Sequence, residues 1–208
     1  MTNSEICDKF KNKIAPSVYR PLECARKDGC KVTFKEKEYT IKLKIPSLSY
    51  NGIYFRPEDL KEETNYLIGE KRGPGLDNDF SIISGDESFV FEVKNTKKKN
   101  ASMYTDKVCV QLVGGEHWIK HLSFLMGSYK DQNFKKICKN YCIYINLTQR
   151  VIASRIRGFD SNYCMYVKKH NDINYVLVDK VSSCGIDLTK VFHFIIKKKA
   201  ALQRNLWK

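Results

Sequence analysis

A glutamate and a lysine stand two positions apart at the end of an apolar segment, in the sequence SFVFEVKN of residues 88–95. Alternation along a β-strand places Glu92 and Lys94 on one face, and Phe91 and Val93 on the other. A carboxylate beside an ammonium group on a buried strand can support proton transfer and stabilise a developing negative charge. The alternative is a Glu–Lys pair on a solvent-exposed strand face.

A second carboxylate precedes this segment. Asp79 begins the apolar run DFSII, and the turn SGDE joins this run to the segment of Glu92. If the two runs pair as a β-hairpin, Asp79 and Glu92 come together at one end of the sheet. Two adjacent carboxylates repel each other unless a cation lies between them, and their oxygens favour Mg²⁺ or Mn²⁺. Such an ion can polarise a phosphoryl oxygen and acidify a bound water, which Lys94 could hold or help to deprotonate.

Asp79, twelve intervening residues and the triplet Glu92-Val93-Lys94 resemble the motif of the PD-(D/E)XK nuclease superfamily, which has the restriction-endonuclease-like fold. In that family the first acid lies at the start of one strand, the E-x-K triplet lies in the adjacent strand, and a helix stands on either side. The resemblance covers roughly residues 56–147. It implies that Asp79 and Glu92 are metal ligands, that the Val93 carbonyl is a further ligand, and that Lys94 is the catalytic lysine.

The resemblance also implies an acidic ligand from the first helix. Glu63 is the better candidate because it shares a helix face with two leucines, and Glu70 is the reserve. Asn78 stands where the motif has a proline. Asp77 competes with Asp79 for the role of first acid, and Asp79 is preferred because it directly precedes the apolar run.

Two features bear on the class of nuclease. RecB-like exonucleases carry a glutamine on the second helix and an aromatic residue four positions later, whereas Gln111 is followed at that distance by Gly115. Viral cap-snatching endonucleases often have a histidine before the first acid, but the first histidine here is His117, which leaves only histidine-free versions open. The predicted function is a Mg²⁺-dependent nuclease, with a DNA endonuclease favoured. The alternatives are an RNA endonuclease of the same fold, of the cap-snatching kind, or a non-catalytic basic nucleic-acid-binding module.

The chain carries a strong positive charge. Its 208 residues include 37 Lys and Arg against 23 Asp and Glu, which gives a formal net charge of +14. Nucleic acid is the usual partner of such a surface because each neutralised phosphate releases a counterion. The N-terminal segment lacks the apolar core of a secretory signal, and no apolar run reaches the ~18 residues of a membrane-spanning helix. We therefore expect an intracellular protein, cytoplasmic or nuclear, that binds DNA more than RNA and no membrane.

Basic clusters indicate where a nucleic-acid backbone is expected to lie. Lys97, Lys98 and Lys99 directly follow the strand of Glu92, and Arg155 and Arg157 form a second cluster. Further basic or aromatic candidates are Lys168, Lys169, residues 197–199, Tyr163, Tyr166 and Trp207. Each cluster by itself is more typical of a solvated face, and together with the net charge they favour phosphate contacts. Since many members of the resembled family dimerise to cut both strands, a homodimer is left open.

A zinc site is less favoured. His117 and His121 have the spacing of a helical zinc pair, but the glutamate precedes the first histidine instead of following it. The eight cysteines contain no C-x-x-C pair, and Cys138 and Cys142 have no second pair nearby. In a reducing compartment the cysteines are predicted to be thiols.

The elements that must position these residues follow from hydrophobic periodicity and turn residues. Helices are predicted at the N-terminus, over 57–71, over about 105–126 and at the basic C-terminus. Strands are predicted in KVTFKEKEYTIKLKI, DFSII, SFVFEVKN, YCIYINL, RVIASRI, NYCMYVKK and NYVLVDKV. This order predicts an α/β (α+β) fold with a central mixed β-sheet flanked by helices and a restriction-endonuclease-like core. The expected parts are an N-terminal helix and strand extension over 1–55, the nuclease core over 56–150, and C-terminal strands with a basic tail over 151–208, within the same domain.

Overall fold

A computed structural model describes most of the chain, namely residues 4–22, 29–36, 40–46, 51–63, 77–95, 105–127, 137, 139–147, 162–181 and 185–206. Several predicted features fall in the gaps between these ranges and lie outside the described residues. They are Glu70, Lys97, Lys98, Lys99, Arg155, Arg157, Cys138, Trp207 and the predicted strand RVIASRI.

Along the described part of the chain, groups of strands are separated by helices. In order they are α1 (Ser4–Lys13), a 3₁₀ turn (Pro16–Val18), β1 (Tyr19–Leu22), β2 (Cys30–Lys35), β3 (Thr40–Ile45), β4 (Gly52–Phe55), α2 (Pro57–Glu62), β5 (Phe80–Ser84), β6 (Glu87–Asn95), α3 (Thr105–Met126), β7 (Lys139–Leu147), β8 (Cys164–His170), β9 (Ile173–Val181), β10 (Gly185–Asp187), α4 (Thr189–Lys197), α5 (Lys199–Leu202) and β11 (Arg204–Asn205).

The central sheet is mixed, as predicted. Its strand order is β1-β4-β5-β6-β7-β9-β8, and the short β11 pairs with β7. The strands β4, β5 and β6 are antiparallel neighbours, whereas β6, β7 and β9 run parallel to one another. The carboxyl ends of these three parallel strands therefore lie at one edge of the sheet. Both β6 and β7 are buried along most of their length because they occupy the centre of the sheet.

Both faces of the central sheet are covered by apolar layers. On the helical face, α1, α2 and α3 contribute buried side chains such as Phe10 and Leu112. On the small-sheet face, the three-stranded sheet β10-β3-β2 and helix α4 contribute side chains such as Leu43 and Phe192. Alternation along β6 sends Val90 into the helical layer and Phe89, Phe91 and Val93 into the other. The predicted α+β class with a helix-flanked mixed sheet is confirmed.

Strands from all three predicted segments share the central sheet, since β1 and β4 come from residues 1–55 and β8 and β9 from residues 151–208. The predicted helix over 57–71 begins with α2, which ends at Glu62, where the Glu63 N–H donates to the Asp59 and Lys61 carbonyls. The rest of the predicted helix lies outside the described residues. None of the described helices is both long and apolar enough to cross a membrane.

The hairpin prediction is confirmed. Phe80 pairs with Phe91 in the antiparallel register of β5 and β6, and their rings stack with centroids 4.5 Å apart. Gly85 in the connecting turn has a φ of +61°, which an L residue with a side chain rarely adopts. The hairpin thus places the start of β5 beside the carboxyl end of β6.

Helix α3 approaches the central sheet most closely at Gly115. A Cβ atom at this position would collide with Asn78 Oδ1 and with Val90 Cγ1. The absence of a side chain lets the helix lie directly over the hairpin. Glycine lowers helix propensity, but the packing requires it at position 115.

We expect Gly115→Ala to destabilise the protein by about 1–3 kcal/mol, the usual effect of overpacking a close contact. The neighbouring Gly114 is only half-buried, so Gly114→Ala should instead stabilise the protein by up to ~1 kcal/mol through helix propensity. Urea denaturation of both variants measures the difference. Equal changes at the two positions would contradict the close approach at Gly115.

Candidate active site

Asp79 and Glu92 lie opposite each other at the end of the β5–β6 hairpin. Phe80 pairs with Phe91, so continuing the register by one residue places Asp79 opposite Glu92. The Asp79 backbone N–H donates to the Phe91 carbonyl at 3.1 Å, and the Val93 N–H donates to Asp79 Oδ2 at 2.6 Å. These two hydrogen bonds hold the Asp79 carboxylate against β6, next to Glu92.

Lys94 contacts Glu92 along β6, on the face that alternation predicts. Its Nζ donates to Glu92 Oε1. The Glu92 side chain is fully buried, at 0% exposure, whereas Lys94 is 22% exposed. Glu92 Oε2 is also buried, and it has no hydrogen-bond partner among the described residues. The alternative of a solvent-exposed Glu–Lys pair is therefore wrong, and the pair belongs to a buried polar site that opens at Lys94.

Burial raises the pKa of both carboxyl groups. For Asp79, loss of hydration is the largest cause, and the Lys94 charge and the Val93 N–H oppose it. For Glu92, loss of hydration is again the largest cause and the Asp79 charge raises the pKa further, while Lys94 lowers it. The two carboxyl groups are buried close together, and Glu92 Oε2 accepts no hydrogen bond from the described residues. When both groups are ionised, a cation between them would reduce their repulsion.

A second polar group borders Asp79 from the side of β4. Arg56 Nη2 donates to Glu36 at 2.9 Å and to Glu58 at 2.7 Å. The Arg56 charge lowers the pKa of Asp79 and the Glu36 charge raises it, so both groups lie within its electrostatic range. Burial also raises the pKa of Tyr54, whose hydroxyl has no hydrogen-bond partner among the described residues. Sequence analysis did not identify these neighbours of Asp79, because they lie in or next to β2 and β4, which are distant from Asp79 in the chain.

The alternative first acid, Asp77, has a structural role. Trp118 Nε1 donates to Asp77 Oδ1 at 2.9 Å, and Lys61 contacts Oδ2. The Gln111 amide donates to the Asp77 backbone carbonyl at 3.2 Å. Both carboxylate oxygens of Asp77 thus connect α2 with α3, which supports the choice of Asp79 as the acid of the candidate site.

Glu63 lies just after α2, where its Oε1 accepts a hydrogen bond of 3.0 Å from Ser17 in an exposed contact. It is not among the main charges that act on Asp79 or Glu92. Within the described part of the chain, no group of three or more His, Cys, Asp or Glu side chains could hold a metal ion. The role of Glu63 as a metal ligand therefore stays a prediction.

A row of polar side chains next to the carboxylates was missed by sequence analysis. The sheet register places Lys94 beside Asn146, and Asn146 beside Asp179. Asn146 is only 4% exposed, and its Nδ2 donates to Asp179 Oδ1 at 2.9 Å. The sequence signal was a polar residue near the carboxyl end of each apolar strand, in YCIYINL and in NYVLVDKV. It could have been recognised only with the knowledge that β6, β7 and β9 are parallel neighbours.

No protein-family model, curated protein or solved structure matches this chain. The interpretation of the site therefore depends on its geometry. Its components are two opposed carboxylates, a lysine in contact with one of them, and the carboxyl edge of a mixed sheet where the site reaches the surface.

We expect Glu92→Gln to change how the stability of the metal-free protein depends on pH. A raised pKa means that the folded state keeps a proton that the unfolded state releases, so stability falls as pH rises from the ordinary value of 4.5 through the raised pKa. Glutamine is uncharged, and the variant should lose less stability than the wild type between about pH 5 and pH 8. Lys94→Met should steepen the fall, because the ammonium lowers the pKa of Glu92. Urea denaturation in EDTA at several pH values measures both slopes, and identical slopes in all three proteins would contradict the raised pKa.

Proposed function

We propose that this protein is a metal-dependent nuclease that hydrolyses phosphodiester bonds in nucleic acid, with DNA as the favoured substrate. The observation that carries the proposal is the opposition of Asp79 and Glu92 at the end of the hairpin, with Lys94 in contact with Glu92. The element order α2, β5, β6, α3 and β7 supports a restriction-endonuclease-like core. The net charge of +14 supports an anionic substrate.

In this proposal Asp79 and Glu92 hold a Mg²⁺ or Mn²⁺ ion, with the Val93 carbonyl as a further ligand. Proteins usually bind Mg²⁺ through one or two carboxylates, and water and substrate phosphates complete the shell, so two carboxylates are sufficient. Glu92 Oε2, buried without a hydrogen-bond partner among the described residues, fits this role because a cation would compensate its charge. When bound, such an ion supplies Lewis acidity toward a phosphoryl oxygen and lowers the pKa of a coordinated water.

Lys94 has two roles in the proposed site. Its ammonium group donates to Glu92 Oε1 and so favours the ionised form of the buried carboxylate. Because Lys94 is partly exposed near the end of β6, the same ammonium can also contact a substrate phosphate or orient the attacking water. Developing negative charge on the phosphoryl oxygens would strengthen this contact during the reaction.

The second candidate function is a non-catalytic basic nucleic-acid-binding module. The observation that favours it is the basic surface, which includes exposed lysines such as Lys168 and Lys169. Both functions use the basic surface for binding. The predicted phosphate contacts stay Lys97, Lys98, Lys99, Arg155 and Arg157. They differ in whether Asp79, Glu92 and Lys94 are needed for a chemical step.

Incubation of the wild-type protein with plasmid DNA, single-stranded DNA or RNA should give cleavage that requires Mg²⁺ or Mn²⁺ and stops in EDTA. Asp79→Asn, Glu92→Gln and Lys94→Ala should each lower the cleavage rate by at least ~10²-fold, because each removes charge from the site of chemistry. Glu87→Gln is the matched control, since Glu87 is on the same strand but contacts Tyr141 and Lys199 at its other end. This control should keep the wild-type rate, as measured by gel electrophoresis of the products.

Two results would contradict the nuclease proposal. One is a wild-type protein that binds these substrates but cleaves none of them with either metal ion, which would support the binding module. The other is cleavage at the wild-type rate by the three site variants, which would assign the chemistry to other residues.

Mg²⁺ or Mn²⁺ should also raise the melting temperature of the wild-type protein. An ion at 100 times its Kd stabilises the folded state by about 2.7 kcal/mol if it does not bind the unfolded chain. The shift should be larger at pH 8 than at pH 5, because the raised pKa values of Asp79 and Glu92 leave the carboxyls protonated at lower pH. Differential scanning fluorimetry measures the shift. An equal shift in a variant with both Asp79→Asn and Glu92→Gln would show that the ion binds elsewhere.

A further inference from the structure

The row of side chains that contains Glu92 continues across three more strands on the helical face. Glu92 of β6 lies beside Tyr144 of β7, Tyr144 lies beside Leu177 of β9, and Leu177 lies beside Tyr166 of β8. Since neighbouring strands are ~4.8 Å apart, Tyr166 lies roughly 14 Å from Glu92 along this row. The candidate site and the edge strand β8 are thus connected across one face of the sheet.

This row changes from buried to exposed as it approaches the edge of the sheet. Tyr144 is buried and Leu177 is partly buried, whereas Tyr166 is 45% exposed. The Lys168 Nζ lies 5.6 Å from the centre of the Tyr166 ring, and alternation puts Lys168 on the same face. An exposed ring with an ammonium group beside it is the combination that binds a nucleic-acid strand, with the base stacked on the ring and the phosphate near the charge.

The charges of β8 favour such a partner over another protein strand. Among the described strands, β8 is the last of the sheet, and its backbone edge is one to which a further strand could add. Lys168 and Lys169 are both exposed and lie on opposite faces of this strand, and lysines on an edge strand oppose strand addition. The same charges attract a polyanion on either face, but only the helical face combines its lysine with an exposed aromatic ring.

We propose that Tyr166 and Lys168 form a binding platform for single-stranded nucleic acid, which holds the strand at the exposed β8 end of the row that begins at Glu92. This inference rests on the proposed nuclease function for the identity of the site, and it specifies the substrate as a single strand or the unpaired end of a duplex. Stacking on Tyr166 requires an exposed base face, which an unpaired nucleotide has and a stacked duplex lacks.

Binding measured without catalysis tests the platform. Fluorescence anisotropy in EDTA would follow the titration of a labelled single-stranded 20-mer and of the duplex of the same sequence. Tyr166→Ala should weaken single-strand binding roughly 5- to 150-fold, the range for loss of one base–aromatic contact, and Tyr166→Phe should restore it. Duplex binding by Tyr166→Ala should change by less than about 2-fold, since no base stacks on the ring. Lys168→Gln should reduce the salt slope of single-strand binding by about 0.7, as expected for one lost phosphate contact.

The opposite face of the same strand provides a matched control. Val167 is an exposed neighbour of Tyr166, but it lies on the small-sheet side. Val167→Ala should change single-strand affinity by less than about 2-fold, in contrast to Tyr166→Ala. Circular dichroism establishes that all variants keep the wild-type fold.

Several results would overturn the platform. These are unchanged single-strand affinity in Tyr166→Ala, an equal loss of duplex affinity, an equal loss in Val167→Ala, or a wild-type protein that does not bind single strands. A change from dimer to monomer in Tyr166→Ala, seen by size-exclusion chromatography, would instead assign β8 to a contact between copies of the chain. The two proposals can fail separately. If the wild-type protein binds through Tyr166 but never cleaves, the platform stands and the nuclease proposal fails. If cleavage requires Asp79 but Tyr166→Ala binds with wild-type affinity, the nuclease proposal stands and the platform fails.

Discussion

The hydrogen bond from the Val93 N–H to Asp79 Oδ2 is the contact on which the candidate site depends. It fixes one carboxylate against the strand that carries the other, even though the Asp79 charge raises the pKa of Glu92. The hairpin keeps the two carboxyl groups together despite their repulsion, because the buried and stacked rings of Phe80 and Phe91 fix the strand register one residue away. Apolar burial therefore holds together two charges that would separate in a flexible chain.

Asn78, immediately before Asp79, orients the start of β5. Asn78, in the place of a proline, is buried, and its amide donates to the Phe80 and Phe91 carbonyls and to Ser81 Oγ. A proline restricts the backbone through its ring, whereas Asn78 orients the start of β5 through side-chain hydrogen bonds. Gly115 of α3 gives this side chain the space it needs. Helix and hairpin are thus fitted to each other at the residue that positions Asp79.

Local contacts of the site could be predicted from the sequence, and contacts between distant segments could not. Alternation along β6 correctly placed Glu92 and Lys94 on one face, and the turn residues correctly predicted the hairpin that brings Asp79 near. Asn146 and Asp179 lie in one row with Lys94 only because the strand order is β6-β7-β9-β8. In this order β9 lies between β7 and β8, although β9 follows β8 in the chain. Strand order of this kind arises from packing over the whole sheet and leaves no periodic signal in one segment. The strands β10 and β11 are too short, at three and two residues, for alternation to reveal them.

Positive and negative charges have different places in this protein: lysines lie on the surface, and two carboxyl groups are buried in the candidate site. The chain is strongly basic, but the candidate site contains two carboxylates. In the proposed nuclease these carboxylates would repel a phosphodiester, so the substrate would need cations around the site and a cation within it. Exposed lysines such as Lys168 are the cations around the site, and salt screens their charge readily. The cation within the site is the ion that the buried pair Asp79 and Glu92 is proposed to hold, and salt screens it less. In the proposed function, the basic surface determines how strongly and in what form nucleic acid binds, and the hairpin holds the residues that act on the strand.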